Sequence, residues 1–474
     1  MLTSLEVIEH SGVHFGTSGA RGPVDAFTPA VCQGFSHAFL ACMESRFDIQ
    51  RVLIGIDNRP SSKAIAKACA AAVRARGYGV IFADVLPTPA LAYSALEKSM
   101  PAIMVTGSHI PFDRNGLKFY RPDGEITKED ELQIINAQTS FTVLPSVPRL
   151  EIDISAASRY AKRYLTFFPR DLLSGKRIGI YEHSSAGRDI YAPLFTELGA
   201  SIISLDRTDE FTPIDTEAIR DIDQIKARIW QQKYHLDAIF STDGDGDRPL
   251  VADECGEWLR GDILSLLCAK ALDIEAIALP ISCNSLIHED KQFRKVVRTK
   301  IGSPYVIESM KELCKTYTKV AGFEANGGFI LGSAIKQKEK TLKSLPTRDA
   351  VLPFLMLLSE AKKVPISHLV AALPKRFTHS DRVKNFSLKT SYALLNHGQD
   401  HPEKLLKQIG ISNIRITSID LTDGLRLGLS DNSVIHLRAS GNAPELRCYT
   451  EAESLQRARA LAECVLNHLV SSSI

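Results

Sequence analysis

Three stretches of this chain run strand, polar loop, helix, strand, and that alternation constrains the fold more than any other feature. Arg51–Ile56 (RVLIGI) leads through Asp57-Asn58-Arg59-Pro60-Ser61-Ser62 into an alanine-rich helical stretch and then to residues 79–82. Arg177–Tyr181 (RIGIY) passes through a polar loop with Gly187 into a helical stretch at 191–198 and on to Ser201–Leu205. Residues 276–282 open the third stretch, with a helix over 305–314 after Gly302. Strands that alternate with helices build parallel sheets covered on both faces, so the fold class is α/β.

A length of 474 residues suits several domains, at about 100–200 residues each. Residues 139–148 are polar with two prolines and end the first unit; a second break falls near 257–262. After about residue 376 the pattern changes: 433–438 and 446–451 read as antiparallel strands. A closing helix from Glu453 carries Leu455, Ala458, Ala462, Val465, Leu466 and Leu469 on one face. The expected architecture is three similar α/β domains with mixed, mostly parallel sheets, at 1–150, 151–257 and 258–372. A smaller α+β domain at 373–474 completes it.

Lysine and arginine exceed aspartate and glutamate by 57 − 55 = 2. A near-neutral balance gives no reason to expect a nucleic-acid or membrane partner. No apolar run is long enough to span a bilayer, and the N-terminus lacks a basic head followed by an apolar core. The nine cysteines are scattered and odd in number, which reads as buried thiols in a reducing compartment, the cytoplasm.

The richest chemistry lies at residues 243–248, Asp-Gly-Asp-Gly-Asp-Arg, after the apolar run LDAIF. Carboxylates at every second position of a loop leaving a strand can converge on one point, because glycine removes the intervening Cβ atoms. Hard anionic oxygens around a point suit Mg²⁺, which keeps places for phosphate. Arg248 adds a cation for bidentate phosphate contact. A Ca²⁺ helix–loop–helix is the rival, with Glu254 at the twelfth position. That pattern needs glycine at the sixth, where this chain has Arg248, and 250–252 with 258–259 read as a hairpin rather than a helix.

Four other loops carry polar groups. Thr106-Gly107-Ser108-His109-Ile110-Pro111 follows the strand Ala102–Val105, with Lys118 ten residues beyond Ser108. Alone, Ser108 is a turn residue; beside a metal–phosphate site it becomes a candidate phosphoryl carrier. Residues 14–22 form a glycine-rich loop with Arg21, suited to a phosphate. Glu324 and Asn326 stand two apart on a flexible loop, as neighbouring sugar hydroxyls would require, or as an ordinary turn would also give. Arg438, Ser440, Asn442 and Arg447 sit where the last two strands join and make an anion cradle.

In this order and spacing the five segments resemble the α-D-phosphohexomutase family across essentially the whole chain. The Thr-Gly-Ser-His and Asp-Gly-Asp-Gly-Asp-Arg loops are the specific part of the match. Within the family the chain looks most like the bacterial phosphomannomutases and phosphomannomutase/phosphoglucomutases. The resemblance implies four domains around a central cleft and interconversion of hexose 1-phosphate and hexose 6-phosphate. The hexose is mannose, with glucose as a second substrate, and the route runs through a phosphoserine and a hexose 1,6-bisphosphate, which also activates. It implies phosphorylated Ser108 as donor and one Mg²⁺ held by Asp243, Asp245, Asp247 and a Ser108 phosphate oxygen. Arg21, His109 and Lys118 would surround the reacting oxygen. Glu324 and Asn326 would read sugar hydroxyls, while Arg438, Ser440, Asn442 and Arg447 hold the idle phosphate. A monomer or homodimer is expected.

Three departures qualify the likeness. Where mannose/glucose enzymes commonly read Glu-Met-Ser-Gly-His, this chain reads Glu324-Ala325-Asn326-Gly327-Gly328. Ala439, Asn442 and Ala443 depart from the common Arg-Pro-Ser-Gly-Thr-Glu-Pro of the phosphate loop. Thr106-Gly107 stands where phosphoglucosamine mutases usually carry Ser-Ala, which argues against that subfamily. The alternatives are therefore a phosphoglucosamine mutase, a sugar-bisphosphate-binding protein without turnover, and a metal-dependent phosphatase. For the proton that leaves the attacking hydroxyl, a histidine with its ordinary pKa of about 6.5 is an easier carrier than a lysine near 10.4. Lys118 reads as the electrostatic and acid partner.

Overall fold

The computed structural model describes residues 1–16, 19–147, 149–412, 414–440 and 444–471. Its first three sheets repeat one strand order. In the first, Arg51–Ile56 is flanked by parallel Gly79–Val85 and parallel Ala102–Val105, and Arg114–Arg121 then returns antiparallel. In the second, Arg177–Tyr181 lies between parallel Ser201–Leu205 and Ala238–Thr242, with Pro249–Ala252 antiparallel. In the third, Ala276–Pro280 lies between parallel Lys295–Thr299 and Val320–Phe323, with Phe329–Leu331 antiparallel. The central strands are buried almost throughout because helices cover both faces, which is why they read as apolar runs.

That repeat places the candidate loops. The turn from the third parallel strand into its antiparallel neighbour carries Ser108 in the first sheet, Asp243, Asp245 and Asp247 in the second, and Glu324 in the third. Three chemically different loops therefore occupy one topological position in three sheets.

The last unit is a five-stranded antiparallel sheet in the order Phe377–Lys384, Glu445–Ala452, Val434–Ala439, Leu425–Leu429, Ile416–Asp420. The helix Leu455–Ser471 closes it. Its buried face holds Ala458, Ala462, Val465, Leu466 and Leu469, but Leu455 is 56% exposed, because the helix begins there and its first turn projects past the sheet. One apolar core runs from Leu53 to Ile366 through the first three sheets, whereas the last unit has its own, from Leu394 to Leu469.

Six cysteines are buried as expected; Cys255, in a turn, and Cys314, at a helix C-cap, are exposed, and Cys464, within the last helix, is intermediate. Among the described residues no helix is long and apolar enough to cross a membrane.

Candidate functional site

The serine loop and the metal loop touch. Ser108 Oγ donates to Asp243 Oδ2 at 2.7 Å, both residues being fully buried. Gly244 permits this approach: a Cβ there would stand 2.7 Å from the Ser108 carbonyl oxygen. Ser108 itself has φ 56°, a left-handed conformation unusual for a side-chain residue, with a cost on the order of 1–3 kcal/mol. Its surroundings impose it. The Ser108 N–H donates to Thr106 Oγ1 at 2.8 Å, and Arg59 Nη2 donates to the Ser108 and Ile110 carbonyls at 2.8 and 2.6 Å.

Asp243, Asp245 and Asp247 bring carboxylate oxygens within 4.8 Å of one another. Asp245 Oδ1 and Asp247 Oδ1 are buried with no hydrogen-bond partner, while the other oxygens of these two residues are fully engaged. Thr88 Oγ1 and Lys118 Nζ both donate to Asp245 Oδ2 at 2.6 Å, and Lys118 also reaches Asp247 Oδ2 at 2.8 Å. Buried carboxylate oxygens without hydrogen bonds are costly unless a cation completes them. Asp247 Oδ1 has Arg248 Nε at 3.6 Å, and Asp245 Oδ1 has no such ion pair among the described residues. A small set of hard oxygens aimed at one point fits Mg²⁺. The rival Ca²⁺ geometry is absent here: Ala252 pairs with Trp258 as a hairpin, with no helix leaving the loop.

Electrostatics follow from burial and neighbours. Burial and the two adjacent carboxylates hold the Asp243 carboxyl well above the ordinary range. For Asp245, burial and Asp247 push up, but Lys118 and Thr88 outweigh them and it ends low. For Asp247, burial is overcome by Arg348, Lys118 and Arg248, so it stays ionised. Burial, then Arg248 and Arg21, drive His109 well below its usual value, so the imidazole is neutral. Its Nδ1 lies 2.8 Å from Arg248 Nη1 and 3.5 Å from Ser108 Oγ. The arginine donates to that nitrogen, so Nδ1 is not free to take the serine proton; Asp243 is the nearer acceptor. Arg21 is lowered to about 10, by burial and by Arg248.

The remaining candidates divide. Glu324 Oε2 accepts from Arg348 Nη1 at 2.5 Å, which ties the third loop to the metal loop. Asn326 uses its side-chain oxygen to accept the Gly328 N–H at 3.0 Å, and its backbone carbonyl accepts from Thr216 Oγ1. It thus shapes its own turn, the plainer of the two uses read from sequence. Arg438 Nε donates to Asp423 Oδ2 at 2.8 Å. Arg447 Nε is buried and partnerless, and Arg447 is close enough to act on His109 electrostatically. Ser440 is buried and its N–H donates to the Glu445 carbonyl at 2.9 Å. Asn442 lies outside the described residues.

Sequence reading missed three residues: Arg59, Thr88 and Arg348. Arg59 grips the serine loop from a strand end beside Ala102–Val105, pairs with Asp57 Oδ2 at 3.1 Å and stacks 4.0 Å from the Phe211 ring centroid. The signal was present, since Asp57-Asn58-Arg59 leaves the strand adjacent to the serine strand. Thr88 and Arg348 carried none, because their metal-loop partners, Asp245 and Asp247, lie more than a hundred residues away in sequence.

Residues 12–142 match the model of phosphoglucomutase/phosphomannomutase alpha/beta/alpha domain I, 260–377 that of domain III, and 384–468 that of the C-terminal domain. A phosphomannomutase of Salmonella muenchen is 55% identical, covering 98% of this chain and 97% of its own length. One from Sinorhizobium fredii is 40% identical, covering 98% and 100%. Relatives named phosphoglucosamine mutase stand at 27–28%. The crystal structure of a Thermus thermophilus protein superposes with a TM-score of 0.77 at 21% identity, covering 97% of this chain and 99% of that one.

Proposed function

The chain belongs to the phosphoglucomutase/phosphomannomutase family, the α-D-phosphohexomutases that interconvert hexose 1-phosphates and 6-phosphates, and we propose that its hexose is mannose, with Ser108 as phosphoryl carrier. The observation that carries this reading is Ser108 Oγ against Asp243 Oδ2 at 2.7 Å, beside two buried carboxylate oxygens that lack hydrogen-bond partners. The two relatives of highest identity named above favour mannose over glucosamine.

In the scheme, the phosphoryl group on Ser108 passes to a sugar oxygen. The serine O–P bond breaks, a sugar O–P bond forms, and the proton of the sugar hydroxyl ends on the serine oxygen. The resulting hexose 1,6-bisphosphate turns end for end, and its other phosphate returns to Ser108, whose proton passes to the sugar oxygen left behind; Asp243 is the acceptor nearest the serine hydroxyl. Such transfers have a loose transition state, so positioning and charge neutralisation supply most of the rate. Asp243, Asp245 and Asp247 would hold Mg²⁺, which polarises the phosphoryl group and stabilises the serine oxygen as it leaves. Lys118 keeps Asp245 and Asp247 in register through their outer oxygens. Arg21 and Arg248 neutralise the transferring group. Glu324 would read the sugar hydroxyls, Asn326 would shape the loop that carries it, and Arg438, Ser440, Asn442 and Arg447 would hold the idle phosphate. Hexose 1,6-bisphosphate would prime the serine. These loops come from one chain, in keeping with a cytoplasmic monomer or homodimer.

The test is turnover of mannose, glucose and glucosamine 1-phosphates with Mg²⁺ and a trace of hexose 1,6-bisphosphate. Mannose 6-phosphate is the expected principal product, and Ser108→Ala should abolish it. Release of inorganic phosphate would instead make the protein a phosphatase, and glucosamine 6-phosphate as principal product would move it to the other subfamily.

A further inference from the structure

We propose that Arg348 is the positioning residue for Glu324 and that, packed over Gly328, it sets the hexose preference of this enzyme. The inference rests on Glu324 reading the sugar, as above. Arg348 lies on the strand Leu345–Asp349 and is only 2% exposed. Nη2 and Nε both donate to Asp247 Oδ2, at 2.7 and 3.1 Å, and Nη1 donates to Glu324 Oε2 at 2.5 Å. One planar fork thus fixes a metal-loop carboxylate and a sugar-loop carboxylate relative to each other. A guanidinium does this and an ammonium does not, because its donors hold a set geometry.

The stem of Arg348 occupies the space beside Gly328. A Cβ at 328 would stand 2.4 Å from Arg348 Cδ and 2.7 Å from its Cγ. Positions 328 and 348 therefore cannot both carry side chains in this packing, and the glycine in the sugar loop has a structural partner. The fork holds the Glu324 carboxyl in one direction through Oε2. Its fixed direction selects which neighbouring sugar hydroxyls it meets, and mannose and glucose differ in that direction at carbon 2.

The experiment compares wild type, Arg348→Lys, Arg348→Met, Glu324→Gln and the Arg348→Met/Glu324→Gln double variant of the full chain. Dissociation constants for mannose and glucose 1-phosphates are measured by calorimetry, alongside the ratio of kcat/KM for the two sugars. Arg348→Met should weaken binding of the preferred sugar about 10- to 100-fold, the usual consequence of losing hydrogen bonds to a charged group. The mannose-to-glucose ratio should move toward one, and Arg348→Lys should recover only part of it. Adding Glu324→Gln to Arg348→Met should cost less than about threefold more, since residues of one network do not act independently. An unchanged ratio with losses that multiply would overturn the inference, even if the thermal midpoint falls. Should Arg348→Met fail to fold, Arg348→Lys decides alone: wild-type selectivity in it contradicts the proposal. Wild-type protein that turns over neither sugar would refute the functional reading instead, and the binding ratio would still decide the role of Arg348.

Discussion

The half of the molecule that carries Ser108 and the three aspartates and the unit that carries Arg438 and Arg447 are held by different means. The first is knit together by one apolar core from Leu53 to Ile366 and by buried charge contacts between loops of separate sheets. The second has its own core, and polar contacts join it to the third sheet. Glu451 Oε2 accepts from Ser285 Oγ at 2.6 Å and Asp423 Oδ2 accepts the Ile301 N–H at 2.9 Å, while Arg376 Nε, at the start of the last unit, also donates to Glu451 Oε2 at 3.0 Å. In the proposed scheme the chemistry is therefore preset in the packed half, while the grip on the idle phosphate would hang from a joint that can be weakened without dismantling the metal loop. This suits a mutase, whose cradle must accept phosphate from either end of the sugar.

Substitutions on the two sides should separate kcat from KM. Asp243→Asn strikes the packed half hardest. It removes the acceptor nearest the serine hydroxyl and a metal-loop carboxylate, so kcat should fall on the order of a thousandfold or more. Lys118→Met leaves Asp245 and Asp247 without their shared cation. It should lower kcat about a hundredfold while the dissociation constant for mannose 1-phosphate moves less than about threefold; an equal loss in both would contradict the assigned role. On the other side, Arg447→Ala should raise KM for every substrate about tenfold, with kcat within about threefold, as loss of a charge-assisted phosphate contact predicts. An unchanged KM would remove Arg447 from the cradle.

The smallest effect lies in the joint itself. Burial pushes the Glu451 carboxyl up, but Arg426, Ser285 and Arg376 more than compensate, and it ends below the ordinary glutamate value of 4.5. A carboxylate depressed in the folded state stabilises fully above its unfolded pKa, and the contribution is lost as pH falls through the folded value. The last unit should thus loosen at pH below 4.5. Glu451→Gln should flatten this acid dependence and cost about 1–3 kcal/mol at neutral pH, measured by denaturant unfolding. Hydrogen exchange that rises in 377–471 before it rises around Ser108 would mark the joint as the weaker connection.

The two sides also differ in how far the sequence disclosed them. The metal loop was legible because its ligands are local: alternation with glycine and a strand before it are enough to converge three carboxylates. The Ser108 loop was legible only in company, since alone it reads as a turn. Arg348 was invisible, because its stem packs on Gly328 just before the neighbouring strand and its fork reaches Asp247, about a hundred residues away on a different sheet. Thr88 was hidden for the same reason. Asn326 read as a partner for sugar hydroxyls or as an ordinary turn residue; its side-chain oxygen is turned on its own backbone, which spacing cannot tell. Leu455 fits the helical face by periodicity but lies at the helix start, where packing ends.

The most direct test of the central claim is to incubate the protein with hexose 1,6-bisphosphate carrying a radiolabelled phosphate, isolate it, and then add unlabelled mannose 1-phosphate. Label held on Ser108 that then leaves as mannose bisphosphate and mannose 6-phosphate is the predicted result. Protein that never takes up label, or that gives it up as inorganic phosphate, would contradict the account.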